Sequence, residues 1–378
     1  MPTVTDTPST VTAEPAAFAA PVTVTDTPAG RSAAAPPRTR RLIAVLVLAP
    51  VLAALALWAF AWPAARTAPH DLPVGVAGTA AATTQMEERL AHQEGSFDVH
   101  RYAGEADARH AIEDRTVYGA IVVTPEGTEL LTSTAASPAV AQVLQQASAE
   151  LNPVRTVDVV PAPENDPRGA AFNASVLPLV MAGMAAGAVV TFLGLRGLRA
   201  VATLIGAAAL VGITATAIAD SWLHVLTGDW WAEAGSLGLA TLAVSGAVAG
   251  LAALIGRAGV GVAAGVMMLF GNPWSGAASA PQMLPEPAGT IGQLLPPGAG
   301  TTLLRSVSFF DGAAATGPAL TLTWWAALGL GAVLLGGAVK GRTKGDMPKR
   351  DVPKRDVSKG DVSEGGVLKG ARELSPVG

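Results

Sequence analysis

The chain has no cysteine, so it can form no disulfide, no thiolate zinc site and no thiol nucleophile. Any domain it exposes must therefore be stable through its own core. Charge is scarce as well: 14% of the 378 residues are Asp, Glu, Lys or Arg, and the net charge is −4. That balance is too mild to recruit nucleic acid, and the basic residues lie mostly at the edges of apolar runs and in the C-terminal tail. No Gly-x-x-x-x-Gly-Lys-Ser/Thr loop occurs, so the chain has no cradle for nucleotide phosphates. The Ser, His and Asp residues come with no Gly-x-Ser-x-Gly elbow. The five histidines, at 70, 92, 100, 110 and 224, lack metal-site spacing of the His-Glu-x-x-His kind and read as solvated side chains. His224 lies near Asp220 and Asp229 in what reads as an ordinary polar loop at a membrane edge. These absences predict no cofactor, no bound metal and no enzymatic activity.

What the chain does have is apolar sequence, at 50% of its residues, a membrane composition. Ala and Gly carry much of it, so the hydropathy is diffuse, and such small residues let helices pack closely in lipid. The Gly-rich stretch 256–265 reads as helix packing for that reason. Residues 1–41 are rich in Thr, Pro and Ala, with Thr-Val-Thr-Asp-Thr-Pro at both Thr3 and Thr23; they predict a disordered tail. Arg38, Arg40 and Arg41 then abut an uncharged run at 42–62, long enough to cross ~30 Å of hydrocarbon. The basic flank places the N-terminus in the cytoplasm. A cleaved signal peptide is the competing interpretation, since Ala59-Phe60-Ala61 resembles a cleavage site. The run exceeds the roughly 7–15 apolar residues of a signal, however, and Trp58 and Trp62 suit interfacial anchors.

Residues 63–171 change period, to short alternating units that predict an extracytoplasmic α/β domain. Strands are expected at 72–78, 97–102, 118–124, 129–133 and 154–160, and helices at 84–93, 105–116 and 138–151. Ser137 before Pro138 suits an N-cap followed by proline at the first helical position. A stiff Pro-rich linker, 161–167, leads back to the membrane.

Residues 172–340 predict five more spans, near 173–195, 200–218, 237–255, 259–270 and 319–339, with a second external loop at 271–318. The apolar pieces of that loop suggest a lid or an interfacial helix. Segment 259–270 is short of ~20 residues and is either a span or re-entrant. Arg196, Arg199, Arg257, Lys340, Arg342 and Lys344 mark one side; Asp220, Asp229 and Glu233 mark the other. Six crossings then put every short basic loop and both termini in the cytoplasm of a multi-pass cell-membrane protein. Residues 341–378, with a degenerate Asp-Val-x-Lys-x pattern, predict a second disordered tail. Charges are nearly absent within the spans, which disfavours an ion-coupled pump. Asp220 and Arg305 are the outer charges nearest the membrane boundaries and stand as candidates for substrate or gating contacts. Against them stands simple interfacial solvation.

The order of parts resembles the ABC-2-type transporter permeases, in particular their phage-infection-protein-like branch. The likeness covers about residues 40–340. Its residues are Leu72-Pro73-Val74-Gly75-Val76-Ala77, Phe97-Asp98-Val99, Ala108 to Asp114, and Tyr118-Gly119-Ala120-Ile121-Val122-Val123. In the second loop they are Gly271-Asn272-Pro273, Met283-Leu284-Pro285, Leu295-Pro296-Pro297-Gly298-Ala299 and Leu304-Arg305-Ser306. The resemblance implies export or membrane remodelling by a homodimeric permease in the lipid bilayer, driven by a separate ATP-binding subunit. Arg196 and Arg199 are the candidate docking surface for that subunit, although no recognisable coupling helix accompanies them. The alternative is a non-transporting surface protein whose external domain binds an envelope ligand, phage or partner protein.

Overall fold

The computed structural model describes residues 38–91, 95–149 and 154–345. The tails expected at 1–41 and 341–378 lie outside them, apart from 38–41 and 341–345, which continue adjoining helices. The chain forms two compact units, Met1–Ala53 and Ala54–Gly378. What is described of the first is the leading part of helix α1 (Arg38–Ala64).

The second unit opens, past the end of α1, with a small α/β layer. Its elements are β1 (Leu72–Gly78), α2 (Ala80–Ala91), β2 (Phe97–Tyr102), α3 (Glu105–Glu113), β3 (Gly119–Thr124), β4 (Gly127–Thr132), α4 (Pro138–Ser148) and β5 (Val154–Asp158). The sheet order is β2-β1-β3-β4-β5. Only the β3–β4 hairpin is antiparallel; the other three pairings are parallel. Period-two alternation sorts the two faces. Leu72, Val74, Val76, Ile121 and Leu130 meet α2 and α4 through Met86, Leu90, Val140 and Leu144, whereas Ala77, Ala120, Val122 and Leu131 meet α3 through Ala108, Ala111 and Ile112. All five expected strands and three expected helices are present. Ser137 caps α4 as its position suggested, its Oγ accepting from the Val140 N–H at 3.2 Å. What sequence did not show is that Ala280 and Met283, from far down the chain, complete the first of these cores.

The rest is helical: α5 (Ala170–Phe192), α6 (Gly197–Thr216) with a π-helical turn at Ala217–Trp222, α7 (Trp230–Ile255), α8 (Arg257–Val266) with a π turn at Met267–Gly271, α9 (Ala288–Leu294), α10 (Pro296–Phe309) and α11 (Thr316–Gly345). Five helices are long and apolar enough to cross a membrane: Leu42–Ala64, Ala170–Phe192, Gly197–Trp222, Trp230–Ile255 and Thr316–Ala338. The protein is accordingly a mostly helical, multi-pass membrane protein with an inserted α/β region. The expected sixth span differs. Its ten α-helical and five π-helical residues rise about 22 Å at ~1.5 Å per residue, less than the ~30 Å of hydrocarbon.

Helix α7 is the axis of the bundle, and small residues set its contacts. A Cβ on Gly187 would lie 2.6 Å from Ser245 O, one on Gly212 2.3 Å from Ala234 O, and one on Gly329 2.3 Å from the Gly246 carbonyl carbon. In lipid, where apolar burial gives no drive between helices, this close backbone approach supplies the dispersion that holds them. The register fixes direction. Gly183 meets Val244 and Gly187 meets Val248, so α5 runs parallel to α7; Gly246 meets Ala326 and Ala253 meets Gly336, so α11 does too. Helix α6 is antiparallel, with Gly212 against Gly238 and Leu204 clustered with Ala249. Helix α8 is also antiparallel, Gly259 lying on Leu251 and Met267 packing with Val244.

The stretch expected to form a lid or interfacial helix is instead buried in this bundle. Ala299 and Leu303 of α10 cluster with Ala243 of α7 and Leu322 of α11, and Leu304 clusters with Leu237 and Phe172. Helix α10 thus runs antiparallel to α7 along the half nearer the α/β layer. Gly271, where the π turn after α8 ends, abuts Pro297, where α10 begins. Together α8 and α10 cover the length of α7 as two half-helices, with residues 272–295 making an excursion to the α/β layer between them. There Trp274 joins Trp58, Trp62 and Phe270 in an aromatic cluster and donates from Nε1 to Ala59 O at 3.1 Å.

Candidate functional site

The α/β layer meets the bundle through two arginines. Arg115 follows α3 at a φ of +58°, which turns its side chain away from its own helix. Its Nη1 donates to Thr302 O at 3.1 Å and to Ser306 Oγ, both on α10, and its guanidinium lies 5.2 Å from the Phe310 ring centre. Arg305, one turn along α10, is 5% exposed. Its Nη2 donates to Ala277 O at 3.1 Å, and its guanidinium sits 4.8 Å over Phe172 at the head of α5. Between them the Tyr118 hydroxyl donates to Gln282 Oε1 at 2.9 Å.

No carboxylate pairs with either arginine among the described residues. Carbonyls and aromatic faces do the compensating, an arrangement that suits the planar and weakly hydrated guanidinium. Burial lowers Arg115, and burial raises the Tyr118 phenol despite both cations. Both arginines remain charged at neutral pH. The joint is therefore a positively charged, largely dry seam in which α10 is gripped from both sides. A cavity of about 20 Å³, room for one water, lies beside Arg305, Asp166 and Phe172.

Asp220 and Arg305, both expected at the outer membrane edge, are at the same end of the bundle but form no common site. Asp220 lies half-buried in the π turn after α6, where Oδ1 accepts from Ser221 Oγ at 3.2 Å; that hydroxyl in turn accepts from Trp230 Nε1 at 3.2 Å. Arg196 and Arg199 are exposed at the opposite end, Arg196 as the N-cap of α6 and Arg199 in its first turn, with no ion-pair partner among the described residues. Arg196, together with Arg257, borders a cavity of about 280 Å³ between Thr191, Ala253, Gly256 and Gly337.

Arg115, Tyr118 and Gln282 were not visible as a set in the sequence, because Arg115 and Ser306 are 191 positions apart and no local spacing links them. Glu233, placed by sequence in a polar loop, is in fact fully buried in the first turn of α7. No family model matches this sequence, and neither a curated protein nor a solved structure is detectably similar to it.

Proposed function

We propose that the chain is the permease-like membrane component of an ABC-2-type export system in the cell membrane, dependent on a separate ATPase subunit. The observation that carries this reading is the double grip on α10. One side of that helix is hydrogen-bonded to the α/β layer through Arg115; the other packs on α7 through Ala299 and Leu304. A domain that was merely tethered would need no buried joint, whereas a machine that converts movement of its helices into movement outside the membrane would. In this reading the α/β layer is extracytoplasmic, and the ATPase docks on the opposite end at Arg196 and Arg199.

The chain crosses six times in this scheme, with α8 and α10 sharing one interrupted crossing. Support comes from direction: α8 runs opposite to α7 and α11 runs with it, so the segment between them returns to the end that bears the α/β layer. The basic turns then fall in the cytoplasm with both termini, as the positive-inside rule asks. Purification of the intact complex from its own host tests the reading. Recovery of an ATPase subunit, lost in Arg196→Glu/Arg199→Glu, is the expected result; purification without any ATPase, and export unchanged by deletion, would sink it.

A second reading has one observation in its favour. Helix α7 is in close backbone contact with α5, α6 and α11 at Gly187, Gly212 and Gly329, which leaves no aqueous path along the axis of a single copy. A non-transporting surface protein that displays its α/β layer to an envelope ligand, phage or partner protein needs none. Transport would place the path between two copies of the chain, so a strictly monomeric protein in nanodiscs favours this second reading.

A further inference from the structure

At the end of the bundle away from the α/β layer, the cavity of about 280 Å³ opens between helix ends. The closing turns of α5 and α7 line it through Thr191 and Ala252, and α11 lines it through Gly336 and Gly337. Small residues let the surrounding helices meet and still leave this recess. A Cβ on Gly337 would lie 2.9 Å from Gly197 N at the start of α6, and one on Gly336 would lie 2.9 Å from Ala253 Cβ on α7. The volume is far above the ~10–15 Å³ that admits one water.

Two cations border the recess: Arg196, the N-cap of α6, and Arg257, the first residue of α8. Neither has an ion-pair partner among the described residues. The carboxylates of residues 172–345 are Asp220, Asp229, Glu233, Glu286 and Asp311, and all belong to segments at the opposite end. Backbone polarity has the same sign. Neither α6 nor α8 is capped by a side chain, so each offers first-turn N–H groups to an anion. The helices that end here offer little of the reverse: Val189 O, Val190 O and Thr191 O accept from the Leu193, Leu195 and Gly194 N–H groups, and Ala252 O accepts from Gly256 N–H.

We infer that this recess binds the phosphate headgroup of an anionic phospholipid. Its depth fits a lipid, because the apolar helices α5 and α7, each long enough to span, end beside it at Phe192 and Ile255. Its rim fits one too: Phe192, Leu193, Leu198, Leu254 and Ile255 are exposed around the arginines, an apolar collar that acyl chains cover and a free phosphate ion leaves bare. Arginine presents a planar fork that matches phosphate oxygens, and basic pockets between membrane helices are a known setting for acidic headgroups. Arginines that serve only to orient the chain need no recess between them. The inference rests on the membrane character of the bundle and on neither functional reading. Arg257 takes no part in the docking surface assigned to the ATPase, so a variant there reports on the lipid site alone.

The test uses the full chain, stripped of lipid in a neutral maltoside detergent and titrated with phosphatidylglycerol, phosphatidylcholine or inorganic phosphate. Thermal unfolding and native mass spectrometry of retained lipid are followed together. The expected result is a saturable rise in Tm of about 3–5 °C with phosphatidylglycerol alone, the linkage of a ligand that binds only the folded state, with one lipid retained per chain. Arg257→Gln weakens the apparent affinity at least ~10-fold, whereas Arg168→Gln, the same loss of charge in the linker at the other end, leaves it unchanged. Thr191→Leu, which fills the recess and keeps both arginines, also lowers retention. If Arg257→Gln fails to fold, lipid retention by the unaltered protein and by Thr191→Leu decides. An equal response to phosphatidylcholine, a response to inorganic phosphate, or equal losses in Arg257→Gln and Arg168→Gln would each overturn the inference.

Discussion

Arg305 was singled out from sequence as an outer-edge charge, and the structure gives it a different setting: a buried cation held by Ala277 O and the face of Phe172. That setting allows structural and functional roles to be separated. Arg305→Met keeps most of the side-chain volume and removes the buried charge, so unfolding free energy in micelles is expected to stay within ~1 kcal/mol of wild type. Arg305→Ala opens a hole as well and is expected to cost ~2–4 kcal/mol. A methionine variant that is stable yet inactive assigns Arg305 a functional role. At Arg115, replacement by Ala removes two hydrogen bonds from a charged donor, worth ~1.5–3 kcal/mol each. The expected readout is faster proteolytic cleavage in the 161–169 linker, as the joint with α10 loosens.

At the scale of the element, the strands were legible as short apolar or alternating runs, because helices cover both faces of the sheet and the central strands β1 and β3 are buried on each side. The helices of the bundle were legible by length, but their ends were not. Helix α7 begins at Trp230, seven positions before the expected edge at Leu237, because Asp229 caps it and Glu233 is buried; a charge in the first turn reads as loop when hydropathy is the guide. The α8 segment was short in the sequence and is short in the structure, and the reason is now physical: α10 covers the remainder of α7. Close packing of α7 on α11 gives a sharp prediction. Gly329→Val places a side chain where a Cβ already meets Gly246 backbone at 2.3 Å, so the helices must separate, at a cost of ~1–3 kcal/mol or more. Gly331→Ala, whose Cβ would meet nothing within 4 Å, is the matched control. Differential scanning of the two variants in the same detergent checks the contrast, and equal Tm values would refute the packing argument.

For the whole molecule, the proposed topology is tested by reporter fusions after Thr67, Arg199, Glu233, Arg257, Pro287 and Lys344. The expected series is outside, inside, outside, inside, outside, inside; an inside signal at Pro287 would refute the shared crossing of α8 and α10. The sequence by itself determined the membrane character, the α/β insertion and most element positions, because these follow from local quantities such as apolar run length, alternation and capping residues. Only the tertiary structure decided that 272–295 completes the α/β core through Ala280 and Met283, that α10 is a buried half-helix, and that Arg115 reaches Ser306. It also decided that Glu233 is an interior residue. Each of these depends on contacts between residues far apart in the chain. A side chain's burial and partners are set by what the fold brings against it, and local composition carries no record of that.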